Sequence, residues 1–461
     1  MNVTMSPARR HQLLDRRTAL LLALLVVLLA LPYAVRGPKL LLDDWWVLRN
    51  RHFSGVLGTG GHQQAVARPG AWLVFTAAFG IIGRHPAPLY VLQTLLNAVA
   101  AALLFFVLRR FVGWGLATAV VVVRALLANH SAMDHWASTL AIVVALVLLL
   151  LGALLLIRAC DRDRPPWAAI ALFAASGLCY EATLPMAGAL LVAVPLLTTR
   201  RLRWDALVVG GVAIGATGVW ALTHAWRGVP SGYGDPTLEY TIQFGRGIAF
   251  SDTTGRLLAA VAAAGIAVVL WRLLAPSVRG QLAPGDGLVV AGLLTIILGT
   301  LPFVKFPITV LGINDRANVI TSVGGAMVWV GLGDLLWRAT GRRPAVVAGA
   351  ALVFACCVLP ARFQRDQSYW RAGRDAENLV AALRRTFPHP DGHIVVGPAA
   401  RNRHGVVGLV SDWDTTAALQ LDSGDGSVQA RITPNEASYL AAPETLRFNL
   451  LTGRQESPPR R

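Results

Sequence analysis

The sequence predicts a mainly α-helical, polytopic membrane protein with a small extracytoplasmic α/β domain at its C-terminal end. Three observations carry that prediction. The chain of 461 residues is 55% hydrophobic and only 15% charged, whereas soluble domains run near a quarter charged. Apolar runs of spanning length recur from residue 18 to residue 360. Beyond that point the composition changes, with thirteen Arg and eleven Asp or Glu in residues 361–461.

A crossing helix needs about 20 apolar residues. On that rule spans fall near 18–35, 88–108, 114–129, 138–157, 168–183, 184–199, 206–226, 257–274, 286–304, 317–337 and 344–360, eleven in all. The first follows Arg9, Arg10, Arg16 and Arg17 and has no small-residue cleavage site. It therefore reads as an uncleaved span and not as a signal peptide. The run GAWLVFTAAFGIIG at 70–83 is too short to cross and suits an interfacial or re-entrant helix.

Arginine placement sets the orientation. The net charge is +17, and Lys39 and Lys305 are the only lysines. In a soluble chain such a charge would suggest nucleic acid; here the cations fall in short tracts between apolar runs. Loops 109–113, 158–167, 200–205, 272–284 and 338–343 hold thirteen Arg, against five Lys or Arg in 129–138, 227–256 and 304–316. The cation-rich loops belong to the cytoplasm, which puts the N-terminus inside and residues 361–461 outside. The expected domains are thus a transmembrane part, 1–360, and an outer part, 361–461. In the outer part, 371–387 has the pattern of an amphipathic helix and HIVVG at 393–397 that of a strand. The four cysteines, Cys160, Cys179, Cys356 and Cys357, make neither a metal-ligand spacing nor a disulfide framework.

Ionisable groups at or near membrane depth are expensive, so they point to function. On the expected outer side these are Asp43, Asp44, Arg68, Asp134, His135, Glu181, Lys305, Asp315 and Arg316. Asp43 and Asp44 directly follow the first span in LLLDDWWVLRN. One can serve as general base while the other orients the site or binds a cation. The same pair also reads as a helix start followed by interfacial tryptophans. Asp134 and His135 sit in the polar break ANHSAMDHWAST, a pairing able to bind a divalent cation or contact an acceptor. Glu181 in CYEATLP ends the fifth span. Lys305 and Arg316 flank the loop 305–316, and two cations at headgroup level suit a phosphate ester. Arg124 lies within a span and is expected to snorkel outward or face the bundle. No Walker, HExxH or GxSxG motif is present, which disfavours an ATP-driven pump, a zincin and a serine hydrolase.

The order of basic N-terminus, first span, acidic pair and then ARPGAWLVFTAAFGIIGRHPAPLYVLQTLLNAVAAALLFFVLRRF at 67–111 resembles the GT-C membrane glycosyltransferases. That group contains protein O-mannosyltransferases, oligosaccharyltransferases, and bacterial arabinosyl- and aminoarabinosyltransferases. DRANVITSVG at 315–324 is similar to the Arg-bearing stretch before a late span in several members. The resemblance covers residues 1–360. It implies transfer of a sugar from a polyprenyl-phosphate donor to an extracytoplasmic glycan, lipid or protein, with inversion at the anomeric carbon, in the building of the cell envelope. It implies Asp43 or Asp44 as the catalytic carboxylate and Asp134 as the second acidic position; His135 and Glu181 are candidates to assist acceptor or metal there, Glu181 without a counterpart in the family. Arg316 with Lys305 would hold the lipid phosphate, and a divalent ion such as Mg or Mn would sit on Asp44 and Asp134. Alternative readings are a transporter or flippase for lipid-linked sugars, or a non-catalytic assembly partner. A transporter would place its polar residues near the midplane in related halves. This sequence places them at span ends and has no visible half-to-half symmetry.

Overall fold

The computed structural model describes residues 7–59, 61, 65–66, 68–197, 204–225, 265–268, 283–303, 318–387, 393–397, 409, 412–433, 446–449 and 454–456. The described chain is mainly helical and carries one small sheet. Helix α1 (Pro7–Arg36) ends where Gly37 takes φ 82° and donates its N–H to the Ala34 carbonyl. Glycine enters that left-handed region without a Cβ clash. Then come α2 (Asp43–Gly58), α3 (Pro69–Ile82), α4 (Pro86–Arg109) and α5 (Trp114–Leu126). The 70–83 run is thus a helix. Proline opens it, and Gly83 closes it with φ 73° and a bond to the Phe79 carbonyl. A single turn at Ala132–His135 leads to α6 (Leu140–Asp161), followed by α7 (Trp167–Cys179), α8 (Leu184–Leu197) and α9 (Trp204–Ala225). Helices α10 (Pro284–Thr300), α11 (Thr321–Ala339) and α12 (Pro344–Thr386) complete the apolar part.

By length and composition, four helical stretches can cross a membrane: His11–Arg36, Pro86–Arg109, Ala137–Asp161 and Pro344–Thr386. Six other apolar helices among the described residues run 10–17 residues. A helix of 13 residues rises about 20 Å, short of a hydrocarbon core of about 30 Å. The expected spans 114–129 and 168–183 are therefore shorter as helices than the pattern suggested. Backbone breaks cut both: Leu127 turns extended after α5, and Tyr180 is extended between α7 and a short turn at Glu181–Thr183. The span placed at 257–274 lies mostly outside the described residues. Apolar side chains along α1 and α12 face outward, with Leu20 70% and Leu352 65% exposed. Surfaces of this kind mark a membrane protein.

One expectation is corrected. The span at 344–360 and the amphipathic helix at 371–387 are a single helix, α12, of 43 residues. Pro360 lies inside it; it has no N–H for the Cys356 carbonyl and its ring crowds that group, yet the helix continues. The connecting residues ARFQRDQSYWR contain no glycine or second proline to stop it.

The chain forms two compact units, each assembled from separate stretches. The first is Met1–Leu31, Gln93–Asp134 and Ile142–Gln364; the second is Pro32–Leu92, His135–Ala141 and Arg365–Arg461. In the first, α10 and α11 lie backbone to backbone. A Cβ on Gly292 would come 2.6 Å from the Gly324 carbonyl, and one on Gly331 2.6 Å from the Gly285 carbonyl. Such close approach of small residues is how apolar helices bind one another without a hydrophobic driving force.

In the second unit, β1 (His393–Gly397) lies where the sequence places a strand. With β2 (Gln429–Ile432), β3 (Leu446–Asn449) and β4 (Arg454–Glu456) it makes a sheet of order β2-β1-β3-β4, parallel except for β4. Helix α13 (Asp412–Ser423) lies between β1 and β2 in the chain. Leu383 and Phe387 join Ile394, Val396, Leu419 and Phe448 in the core of this α/β part. Helix α2 is tied to it: Arg49 Nε donates to Gln420 Oε1 at 2.7 Å. Trp45 packs against Ala376, Val380, Leu409 and Ala418.

Candidate active site

The acidic pair opens α2 at a strained corner of the second unit. Leu42 is buried and has φ 42°, ψ −115°, a conformation that a branched side chain adopts only when its surroundings impose it. The Leu41 N–H donates to Asp44 Oδ2 at 3.0 Å, and the Leu41 carbonyl accepts from Trp136 Nε1 at 3.1 Å. Asp44 Oδ1 accepts the Ser138 N–H at 2.7 Å and the Ser138 hydroxyl at 2.5 Å. The carboxylate is thus fully enclosed and staples the chain after α1 to residues 136–138. Burial pushes the Asp44 carboxyl up to about 7, against the opposing pull of the hydrogen bonds from Ser138 and Leu41; the neighbouring charge of Asp43 adds to the rise. Asp43, one residue earlier in the first turn, remains half-buried. The corner therefore encloses Asp44 fully and leaves Asp43 partly exposed.

His135 is held in the same unit. Its Nε2 lies 2.7 Å from Asp366 Oδ1, with both side chains 2% exposed. The ring stacks on Tyr369 at 4.9 Å and meets Tyr33 edge-on at 4.6 Å. Asp366 and Tyr369 come from α12 and were not foreseen as site residues. One signal was available: RFQRDQSYWR follows an apolar run directly and mixes charged and aromatic residues.

Asp134 belongs to the first unit. Its Oδ2 is 3.3 Å from Arg362 Nη2 and 3.9 Å from His130 Nε2, and Asn97 donates to its Oδ1 at 3.4 Å. Arg362 also donates to the Ala125 carbonyl at 2.8 Å. Arg124, in the last turn of α5, is buried and within electrostatic reach of Asp134 and Arg362; it faces the interior of its unit. Arg362 was likewise not foreseen, since the residues that enclose it lie more than two hundred positions away in the chain.

Glu181 begins the short turn at Glu181–Thr183 and is half-buried. Arg68 precedes Pro69 at the start of α3 and is also half-buried. Lys305, Asp315 and Arg316 lie outside the described residues.

The donor set does not fit a cation on Asp44 and Asp134. Three N–H or O–H donors already take the oxygens of Asp44, and a guanidinium lies beside Asp134. A divalent ion wants several oxygen ligands and no cation alongside. Among the described residues, no three His, Cys, Asp or Glu side chains are grouped to share a metal.

No protein-family model matches the chain, and no curated protein matches it. In structure it is similar to the oligosaccharyltransferase of Archaeoglobus fulgidus, crystallised with an acceptor peptide containing the NVT sequon tethered through a disulfide bond. The TM-score is 0.46 and the identity 12%, over 89% of this chain and 63% of that one. This chain therefore spans less than two thirds of the archaeal enzyme's length. A likeness of that extent assigns neither residues nor an activity.

Proposed function

We propose that this protein is an integral-membrane glycosyltransferase that moves a sugar from a polyprenyl-phosphate donor to a hydroxyl acceptor outside the cytoplasm. The observation that supports the reading is the strained corner at Leu42, where the buried Asp44 holds the start of α2 and Asp43 stays partly exposed beside it. Backbone strain that the surroundings over-determine is a mark of a functional position.

In this reading Asp43 is the general base. It accepts the proton of the acceptor hydroxyl as that oxygen bonds to the anomeric carbon. The bond from the anomeric carbon to the phosphate oxygen breaks, its electron pair leaves with the prenyl phosphate, and the configuration inverts. Charge grows on the leaving phosphate, and Arg316 with Lys305 supplies the positive field that stabilises it. Asp44 is a positioning residue, its oxygens committed to the corner. His135 and Asp134 hold the 130–138 stretch through Asp366 and Arg362, and Glu181 contacts the acceptor. No step is routed through a metal.

The test is incubation of the purified protein with a panel of radiolabelled prenyl-phospho-sugars. Donor breakdown with release of prenyl phosphate is expected from one of them. Movement of intact donor across a vesicle membrane, with no breakdown of any donor, would overturn the reading in favour of transport.

A further inference from the structure

The first unit contains a charge imbalance that the proposed reaction does not use. Arg124 and Arg362 are both buried, at 4% and 7% exposure, and their shared counter-charge is Asp134. Arg362 is partly satisfied, by Asp134 and the Ala125 carbonyl. Its Nε has no hydrogen-bond partner among the described residues, and neither do Nε and Nη2 of Arg124. An arginine cannot shed its proton to escape burial, as a lysine can. Among the described residues, two guanidinium groups against one carboxylate therefore leave one positive charge and several N–H donors unsatisfied. Asn97, which donates to Asp134, and His130 beside it add no negative charge.

We infer that Arg124 and Arg362 form a binding site for a singly charged oxyanion of the phosphodiester class. A phosphodiester carries one negative charge and two free oxygens, which matches the residual charge and offers acceptors to both guanidinium forks. In a membrane protein that group has two sources, a phospholipid headgroup and a prenyl-phospho-sugar. The second source alone would rest on the transfer reaction proposed above. The cluster reaches the surface at Asp134, whose side chain is 12% exposed.

The test uses the full chain in detergent, stripped of phospholipid. Its thermal midpoint is measured with short-chain phosphatidylglycerol, with a short-chain prenyl phosphodiester, and with chloride at equal ionic strength. A rise of several degrees with either phosphodiester but not with chloride is expected, and the responding compound identifies the source. The rise should vanish in Arg124→Gln. It should persist in Asp43→Asn, so that this site and the proposed reaction fail separately. Native mass spectrometry of the wild type gives a readout that needs no variant to fold, with one phosphodiester retained per chain. No rise with either compound, an equal rise with chloride, or a rise that survives in Arg124→Gln would overturn the assignment.

Discussion

Asp44 and Asp134 are two enclosed carboxylates, each held in polar company and compensated by opposite means. Asp44 is fully buried and meets only neutral donors, the N–H groups of Leu41 and Ser138 and the Ser138 hydroxyl. Asp134 keeps a partly exposed edge and meets the guanidinium of Arg362. Neutral donors do not outweigh the loss of water, so the Asp44 carboxyl is pushed up to about 7. A guanidinium brings a full opposite charge, so losing Asp134 would strand that charge. The comparison teaches that two aspartates of similar sequence setting, each before a tryptophan within two residues, serve different physical ends.

The largest expected effect follows from breaking the charged corner. Asp134→Asn leaves two buried guanidinium groups without a counter-charge, and the expected loss is about 3–5 kcal/mol. Chemical denaturation in a fixed detergent measures it; a loss below about 1 kcal/mol would mean that Asp134 does not compensate them.

Next comes the pH response of the neutral corner. The folded state holds the Asp44 proton up to about pH 7, whereas the unfolded chain releases it near the ordinary carboxyl value of 3.8. Folded protein binds the extra proton between those limits, so the Asp44 contribution is greatest below about pH 4, falls as pH rises to about 7 and is flat above. The fall amounts to on the order of 4 kcal/mol. Asp44→Asn should flatten that part of the profile, read as thermal midpoint against pH. A slope of opposite sign, attributable to Asp44 by its loss in the variant, would break the comparison.

A smaller effect is expected from Ser138→Ala. It removes the hydroxyl bond to Asp44 but keeps the backbone N–H bond, and should cost about 0.5–1.5 kcal/mol. The smallest contrast lies away from both carboxylates. Gly287→Ala has open space at its Cβ and should change stability by less than about 0.5 kcal/mol, whereas Gly324→Ala forces its Cβ to 2.5 Å from the Gly292 carbonyl.

Much of the fold was legible because it is local. The run at 88–108 becomes α4, the one at 70–83 becomes α3, and HIVVG at 393–397 becomes β1, since hydrophobic length and period fix such elements. The acidic pair was also legible, as charge next to a span. The enclosure of Asp44 was not, because Ser138 lies 94 positions from Asp44 in the chain. The same holds for Asp366, which is 231 positions from His135. Residue spacing reports partners within a few turns of a helix and nothing about such distant pairings. The uninterrupted α12 was missed for another reason: a change from apolar to charged composition resembles a boundary, although the backbone has nothing there to end a helix.

The most direct test of the account is the rate of sugar release from a prenyl-phospho-sugar by Asp43→Asn, set against wild type at equal thermal midpoint. A general base of this kind contributes about 10²–10⁴-fold, and a loss in that range with an unchanged fold is the expected result. Transfer at the wild-type rate by a folded Asp43→Asn protein would contradict it.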